Sequence, residues 1–281
     1  MISVIGLGTA ASKIASLFSE WPQYNVYQMN DKVGRTSKYK FKLKSFERPE
    51  EYEDHPPNLK KFFSTTDEHI QFIIVGASFS SNYSLAVLQQ LQGKKIDVVY
   101  VKPDTELLTG VRKLVENVVF GVLQQYARSG LFNSFNILSN HNIENIIGNV
   151  PIKGYYGVLN SSVASTIHYL NYFDNAEPEI GQVSRVGEIN RIKTCGMLST
   201  ETLEEKWFFD LQSPRDLCYY LCINSEKLEN DGGLHRRIVD QLKEKPKNAF
   251  RKISYAIYES AHKQSFGFCV AHTNVVQENS E

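Results

Sequence analysis

The chain opens on a strand that stops at a glycine pair and turns at once into a helix, and few folds accommodate that beginning. Residues 2–5 are Ile-Ser-Val-Ile, followed by Gly6-Leu7-Gly8-Thr9-Ala10-Ala11. Residues 9–19 then carry apolar side chains at helical spacing, with Ala11, Ile14, Ala15 and Phe18 on one face. Gly6 allows the tight turn. Gly8 lets backbone N–H groups approach an anion, toward which the helix points its positive end.

Strand and helix signals continue to alternate, which predicts a parallel, Rossmann-like α/β sheet with helices on both faces. Strands are expected at 25–29, 72–75, 96–101 and 135–138. Helices are expected at 82–91, 107–128 and 143–147, with a long central helix at 155–173. A polar, lysine-rich stretch at 31–57 interrupts the series, with an edge strand at 39–43. Past residue 173 the texture changes. Residues 174–179 are acidic and contain Pro178, and Gly181 follows, which marks a connector. A helix at 186–192, strands at 207–211 and 217–223, a helix at 234–243 and strands at 253–258 and 266–272 predict a smaller mixed-sheet α+β domain. The organisation read from this is a nucleotide-binding domain at 1–174, a C-terminal domain at 182–276 and a frayed tail at 277–281.

The chain carries 31 Lys+Arg and 31 Asp+Glu, so no long-range field favours nucleic acid or an anionic membrane. Composition gives no reason to expect a basic patch, and no nucleic-acid partner is evident. No apolar run is long enough for a membrane segment. Cys195, Cys218, Cys222 and Cys269 contain no Cys-x-x-Cys pair and read as buried free thiols in a reducing, cytoplasmic setting. The histidines show no ligand spacing, so no metal site is expected from them.

A second loop sits where the strand at 72–75 meets a helix: Val75-Gly76-Ala77-Ser78-Phe79-Ser80-Ser81-Asn82-Tyr83-Ser84. Its small and amide residues, Gly76, Ser78, Ser80, Ser81 and Asn82, can offer N–H and hydroxyl donors to phosphate, or simply cap the helix. With Gly6, Gly8, Thr9 and Ser12 of the first loop they are the candidate phosphate ligands. Tyr156 and Asn160, four apart, share one face of the central helix and suit a flat polar base.

The order of these pieces resembles the tubulin/FtsZ superfamily over nearly the whole chain. There a glycine-rich turn follows strand one, and a Gly-Gly-Gly-Thr-Gly-Thr-Gly loop grips the phosphates in the slot of 78–84. A strand ending in Lys-Pro comes next, as in Val101-Lys102-Pro103. Leu138-Ser139-Asn140-His141 stands where that family has an Ile-Pro-Asn-Asp-like segment. Tyr156-Gly157-Val158-Leu159-Asn160-Ser161 resembles the Phe-Gly-Ala-Ala-Asn-Asp that opens its central helix. The resemblance implies GTP or GDP as cofactor with Mg2+ as a companion ion, and Asn140 in the site. It also implies Tyr156 stacking on guanine with Asn160 on the base edge, and head-to-tail assembly of the chain with itself.

The departures are specific. The second loop lacks the run of glycines and carries bulky Phe79 and Tyr83. In that family an Asn-x-Asp-x-x-Asp pattern after the central helix completes the neighbouring subunit's site. Here the stretch is Gln182-Val183-Ser184-Arg185-Val186-Gly187-Glu188, so Glu188 is the one acid near register and the candidate catalytic residue for a weak GTPase. Two alternatives stay open. One is a non-hydrolysing scaffold of the same fold. The other is an NAD(P)-dependent oxidoreductase, because Gly6-x-Gly8-x-x-Ala11 meets the relaxed dinucleotide pattern and Asp31 stands at the end of strand two.

Overall fold

The computed structural model describes residues 1–246 and 251–278. The first half reads β1 (Ile2–Leu7), α1 (Thr9–Leu17), β2 (Tyr24–Asn30), β3 (Lys40–Lys42), α2 (Glu50–Asp54), α3 (Lys60–Phe63), β4 (His69–Val75), α4 (Ser84–Gln89), β5 (Lys95–Lys102), α5 (Val111–Arg128), β6 (Ser134–Ser139), α6 (Asn140–Ile147) and α7 (Tyr155–Phe173). The second half reads β7 (Ile180–Gln182), β8 (Ile192–Leu198), β9 (Glu205–Trp207), β10 (Asp216–Asn224), α8 (Ser225–Asn230), α9 (Leu234–Glu244), β11 (Lys252–Ser260) and β12 (Phe266–Thr273).

Among the described residues these strands form one 12-stranded sheet, ordered β3-β2-β1-β4-β5-β6-β8-β12-β10-β11-β7, with β9 paired to β8. The six strands from β3 to β6 are parallel, in the 3-2-1-4-5-6 order of doubly wound sheets. The order reverses between β1 and β4, where Leu7 lies opposite Ile74. Crevices outside the carboxyl ends of strands at such a reversal are where this architecture binds ligands. The second half is mixed: β10 and β11 are parallel, whereas β12 runs antiparallel to both β8 and β10.

Alternation along each inner strand feeds two cores. Ile5, Leu7, Phe72, Ile74, Val98 and Tyr100 face a cluster closed by α4 and α5. Val4, Ile73, Val99 and Val101 face a second cluster, closed by α1 and α7. Both faces are covered, which is why these strands are continuously apolar. Leu159, Val163, Ala164 and Ile167 of α7 share that second cluster with Cys218, Tyr220, Tyr258, Phe268 and Val270, so one helix packs on both halves of the sheet. In β10 the pattern continues. Cys218 and Cys222 face α7, while Leu217, Tyr219, Leu221 and Ile223 pack toward Leu234 and Ile238 of α9.

Several expectations are corrected. Residues 186–192 form no helix: 186–191 are loop and turn, and Ile192 opens β8, a strand the sequence reading missed. The sheet joins β8 to the end of the parallel set, with Phe135 opposite Ile192 and Asn136 opposite Lys193. Between β8 and α9 the strand expected at 207–211 is displaced: β9 ends at Trp207 and meets the expectation at that residue alone. Gln277, expected in a frayed tail, is 2% exposed and hydrogen-bonded to Gln124 of α5. Residues 279–281 of that tail lie outside the described residues.

Candidate functional site

The two loops meet at the carboxyl ends of β1 and β4. Gly8 adopts φ +89°, in the half of backbone space that favours glycine, and a Cβ there would run into Ser80 Oγ, with Ser78 Oγ 3.7 Å away. Ser78 and Ser80 share a hydrogen bond of 3.2 Å. Gly8, Thr9, Ser78 and Ser80 are thus brought together from two neighbouring strands.

The donors available there are specific. The Gly8 N–H is spent on Met29 O at 2.7 Å, within the β1–β2 ladder. Gly8 is the N-cap of α1 and has no side chain to cap it. The N–H groups of the first helical turn, at Thr9, Ala10 and Ala11, therefore lack an intrahelical partner. Thr9 and Ala10 are exposed. Uncapped N–H groups on a glycine turn, at the positive end of a nine-residue helix, are the kind of arrangement that can accept an anion.

The remaining candidates shape the loops. At Gly6 a Cβ would lie 2.5 Å from Ala11 O and 2.7 Å from the Ser12 Cα, so glycine lets α1 fold back over β1. Ser12 is buried; its hydroxyl donates to Gly6 O at 3.2 Å and accepts from Asn30 Nδ2 at 2.9 Å. Asn30, which the sequence reading did not single out, thereby ties the end of β2 to the turn. Its only signal is an amide closing an otherwise buried strand. Thr9 Oγ1 donates to Asp31 Oδ1 at 3.4 Å, and Asp31 also pairs with Lys32 at 3.3 Å.

Gly76 is likewise a packing glycine. A Cβ there would collide with the carboxylate of Glu116 and lie 2.5 Å from Tyr100 OH. Glu116 is 0% exposed, accepts from Tyr100 OH at 2.7 Å, and has its carboxyl pKa raised by burial. The next residue, Ala77, takes φ +57°. Ser81 is buried and donates its hydroxyl to Ser78 O at 2.6 Å, and Asn82 Nδ2 donates to Phe79 O at 2.9 Å. These contacts hold the 79–83 turn rather than reach outward. Phe79 and Tyr83 do not crowd the loop mouth, because both pack into the core beneath it.

The α7 helix sets the geometry of the rest. Its Asn171 donates to Gln71 Oε1 at 2.9 Å and to Tyr24 OH at 3.3 Å, residues at the amino ends of β4 and β2. Nineteen residues span roughly 28 Å, so α7 starts at the opposite edge, where the two loops lie. Tyr156 is 68% exposed in its first turn, and Asn160 is half-buried one turn on. Tyr155 next to them donates to Glu144 Oε2 at 2.5 Å, which pins α7 to α6. Asn140 opens α6 directly after β6 and is half-buried at that same edge.

Glu188 is not brought to the loops. It is exposed in the turn before β8, whose first residue pairs with the amino end of β6. That is the edge where α7 ends. Within one chain, Glu188 and the glycine turn stand at opposite ends of the sheet. Among the described residues no three His, Cys, Asp or Glu side chains converge as a metal site. No helix there is long and apolar enough to cross a membrane.

Sheet order, central helix and loop placement together define a tubulin/FtsZ-like fold. Three solved structures show it. A GTPγS-form protofilament of TubZ from Bacillus thuringiensis serovar israelensis superposes with a TM-score of 0.68 at 13% identity, over 96% of this chain and 86% of that one. The FtsZ dimer of M. jannaschii gives 0.67 at 12% identity, over 97% and 88%. A GTPγS-bound protofilament of CetZ2 from Haloferax volcanii gives 0.62 at 11% identity, over 96% and 92%. No protein-family model matches the sequence, and no curated protein does.

Proposed function

We propose that this chain is a tubulin-like guanine-nucleotide-binding protein that assembles head to tail and hydrolyses GTP slowly. The observation that carries the reading is the pairing of the two loops across the sheet reversal. Gly8 is in a conformation that needs glycine, uncapped N–H groups follow it, and Ser78 and Ser80 stand against it. The Thr9–Ala11 amides and the Ser78 and Ser80 hydroxyls would hold the phosphates, and Asn140, Tyr156 and Asn160 would meet the nucleoside. Mg2+ would offset charge on the phosphate oxygens.

Self-assembly is supported by the separation of loops and acid along α7. A neighbour stacked in the same orientation presents its Glu188 edge to this chain's loop edge, which one chain alone cannot do. TubZ and CetZ2, which share the fold, occur as protofilaments in nucleotide-bound forms. Competition among GTP, ATP and NAD for the purified full chain tests the reading, together with identification of any nucleotide that co-purifies. GTP or GDP should be the species bound, displaced by GTP and not by ATP or NAD. Preferred NAD binding would restore the oxidoreductase alternative, and no nucleotide binding would leave a scaffold.

A further inference from the structure

The chain's formal neutrality conceals a strong asymmetry. Seven of its 31 lysines and arginines fall within residues 32–48, against one acid, Glu47, so the remainder is net negative. These seven are Lys32, Arg35, Lys38, Lys40, Lys42, Lys44 and Arg48. The segment includes β3, an edge strand of the sheet, with β2 on one side and, among the described residues, no strand on the other. Hydrogen bonds from Gln28 N to Tyr39 O and from Leu43 N to Asn30 O fix it against β2 at both ends.

That register sorts the side chains. Leu43 is buried, and Phe41 packs on the core beside Phe62. Lys40, Lys42 and Lys44 alternate with them and are exposed. Every second residue of a strand repeats at roughly 6.6 Å. The result is a row of ammonium groups along one edge, continued by Arg35 and Lys32, which with Lys40, Asn30 and Ser37 line a recess of about 480 Å3. Acids nearby take only two of the seven: Lys32 pairs with Asp31 at 3.3 Å and Arg48 with Glu51 of α2 at 3.9 Å. Arg35, Lys40, Lys42 and Lys44 form no ion pair among the described residues. Lysines on an edge strand do guard against edge-to-edge pairing. A three-residue strand offers little to pair with, however, and that role does not account for cations extending from residue 32 to residue 48.

We propose that this edge binds single-stranded nucleic acid through its phosphate backbone. A single row of cations suits one backbone, and a polymeric anion gains from releasing its condensed counterions. Tyr39, 40% exposed, lies on the Phe41 side of the strand, with its ring 5.3 Å from that of Tyr27 and Lys38 Nζ 4.8 Å from its centroid, so the row of cations meets the phosphates and not the bases. A membrane surface fits less well, since Tyr39 is the one exposed large apolar side chain in the segment and nothing there would enter the acyl layer.

The test is fluorescence anisotropy of a short labelled mixed-sequence single-stranded DNA with the full chain, titrated across salt. Its duplex and phosphatidylserine vesicles serve as parallel arms, and the triple variant Lys40→Gln, Lys42→Gln, Lys44→Gln as comparison. Single strand should bind in preference to duplex and vesicles. The slope of log affinity against log salt should fall by about 2 in the variant, with affinity down about tenfold. GTP binding should be unchanged in the variant, which separates this surface from the nucleotide site. A preference for duplex or for vesicles, a variant that binds as wild type does, or no salt-dependent binding would overturn the proposal.

Discussion

Gln124 and Gln277, 153 residues apart, exchange hydrogen bonds in the interior: Gln124 Nε2 donates to Gln277 O at 3.0 Å, and the Gln277 N–H donates to Gln124 Oε1 at 2.6 Å. The Gln277 side chain accepts in turn from Gln212 N at 2.6 Å. The segment after β12 is thereby fastened to α5, on the other half of the sheet. Gln124→Leu leaves a buried N–H and C=O without partners. It should lower stability by about 2–4 kcal/mol in urea unfolding. An unchanged midpoint would show that the latch contributes nothing.

Gly8→Val should abolish nucleotide binding with little change in circular dichroism. A Cβ at φ +89° is strained and runs into Ser80, so the loops must separate. Ser80→Ala removes one neutral hydroxyl and should cost about 0.5–1.5 kcal/mol of binding, read by calorimetry. Full affinity in Gly8→Val would reduce the first loop to a turn.

Steady-state GTPase activity should be low and should rise with protein concentration, because Glu188 lies at the edge away from its own chain's loops. Glu188→Gln should remove the concentration-dependent part and leave nucleotide affinity intact. Rapid turnover in dilute protein, unaffected by that substitution, would exclude Glu188 as the acid.

His272 of β12 should make the protein acid-sensitive. Burial, with a smaller contribution from the Lys193 charge, lowers its pKa from 6.5 to about 3. The folded state then binds fewer protons than the unfolded state between those values. The stabilisation is complete above pH 6.5 and is lost as pH falls toward 3, by up to about 1.4 kcal/mol per unit. His272→Gln should flatten the difference between urea midpoints measured near neutrality and near pH 5. An equal slope in wild type and variant would assign the acid sensitivity elsewhere.

The parallel half of the fold was legible because its signals are local. Gly6-Leu7-Gly8 between strand and helix, and continuous apolar runs in β4 and β5, report their own structure. The β8 strand was not, for reasons outside its own sequence. Its Gly196 is glycine because the backbone of β9 crosses over it, with Lys206 C 2.9 Å from where a Cβ would stand. The flanking 186–192 stretch carries helix-like spacing that no packed face supports. Gln277 looked like a polar tail since its partner is on α5. In the site, glycine identity located the first loop. It could not separate Gly8, which faces Ser80, from Gly76, which makes room for Glu116 and Tyr100. The basic edge was visible as a lysine-rich stretch, yet the chain-wide balance of charge hid its significance.

All four cysteines are buried, at 0% for Cys195 and Cys269, 1% for Cys218 and 4% for Cys222, and burial pushes the Cys195 and Cys222 thiols up to about 12. Thiolate, the reactive form, is therefore scarce and shielded while the chain is folded. These thiols face both sides of the mixed half of the sheet, with Cys269 in the α9-side core and the other three in the α7-side core. The molecule thus carries an intrinsic clock for its own opening. The rate at which an alkylating reagent consumes each thiol reports how often that layer of the sheet comes apart, with no label introduced, and different rates on the two sides would reveal that they open separately.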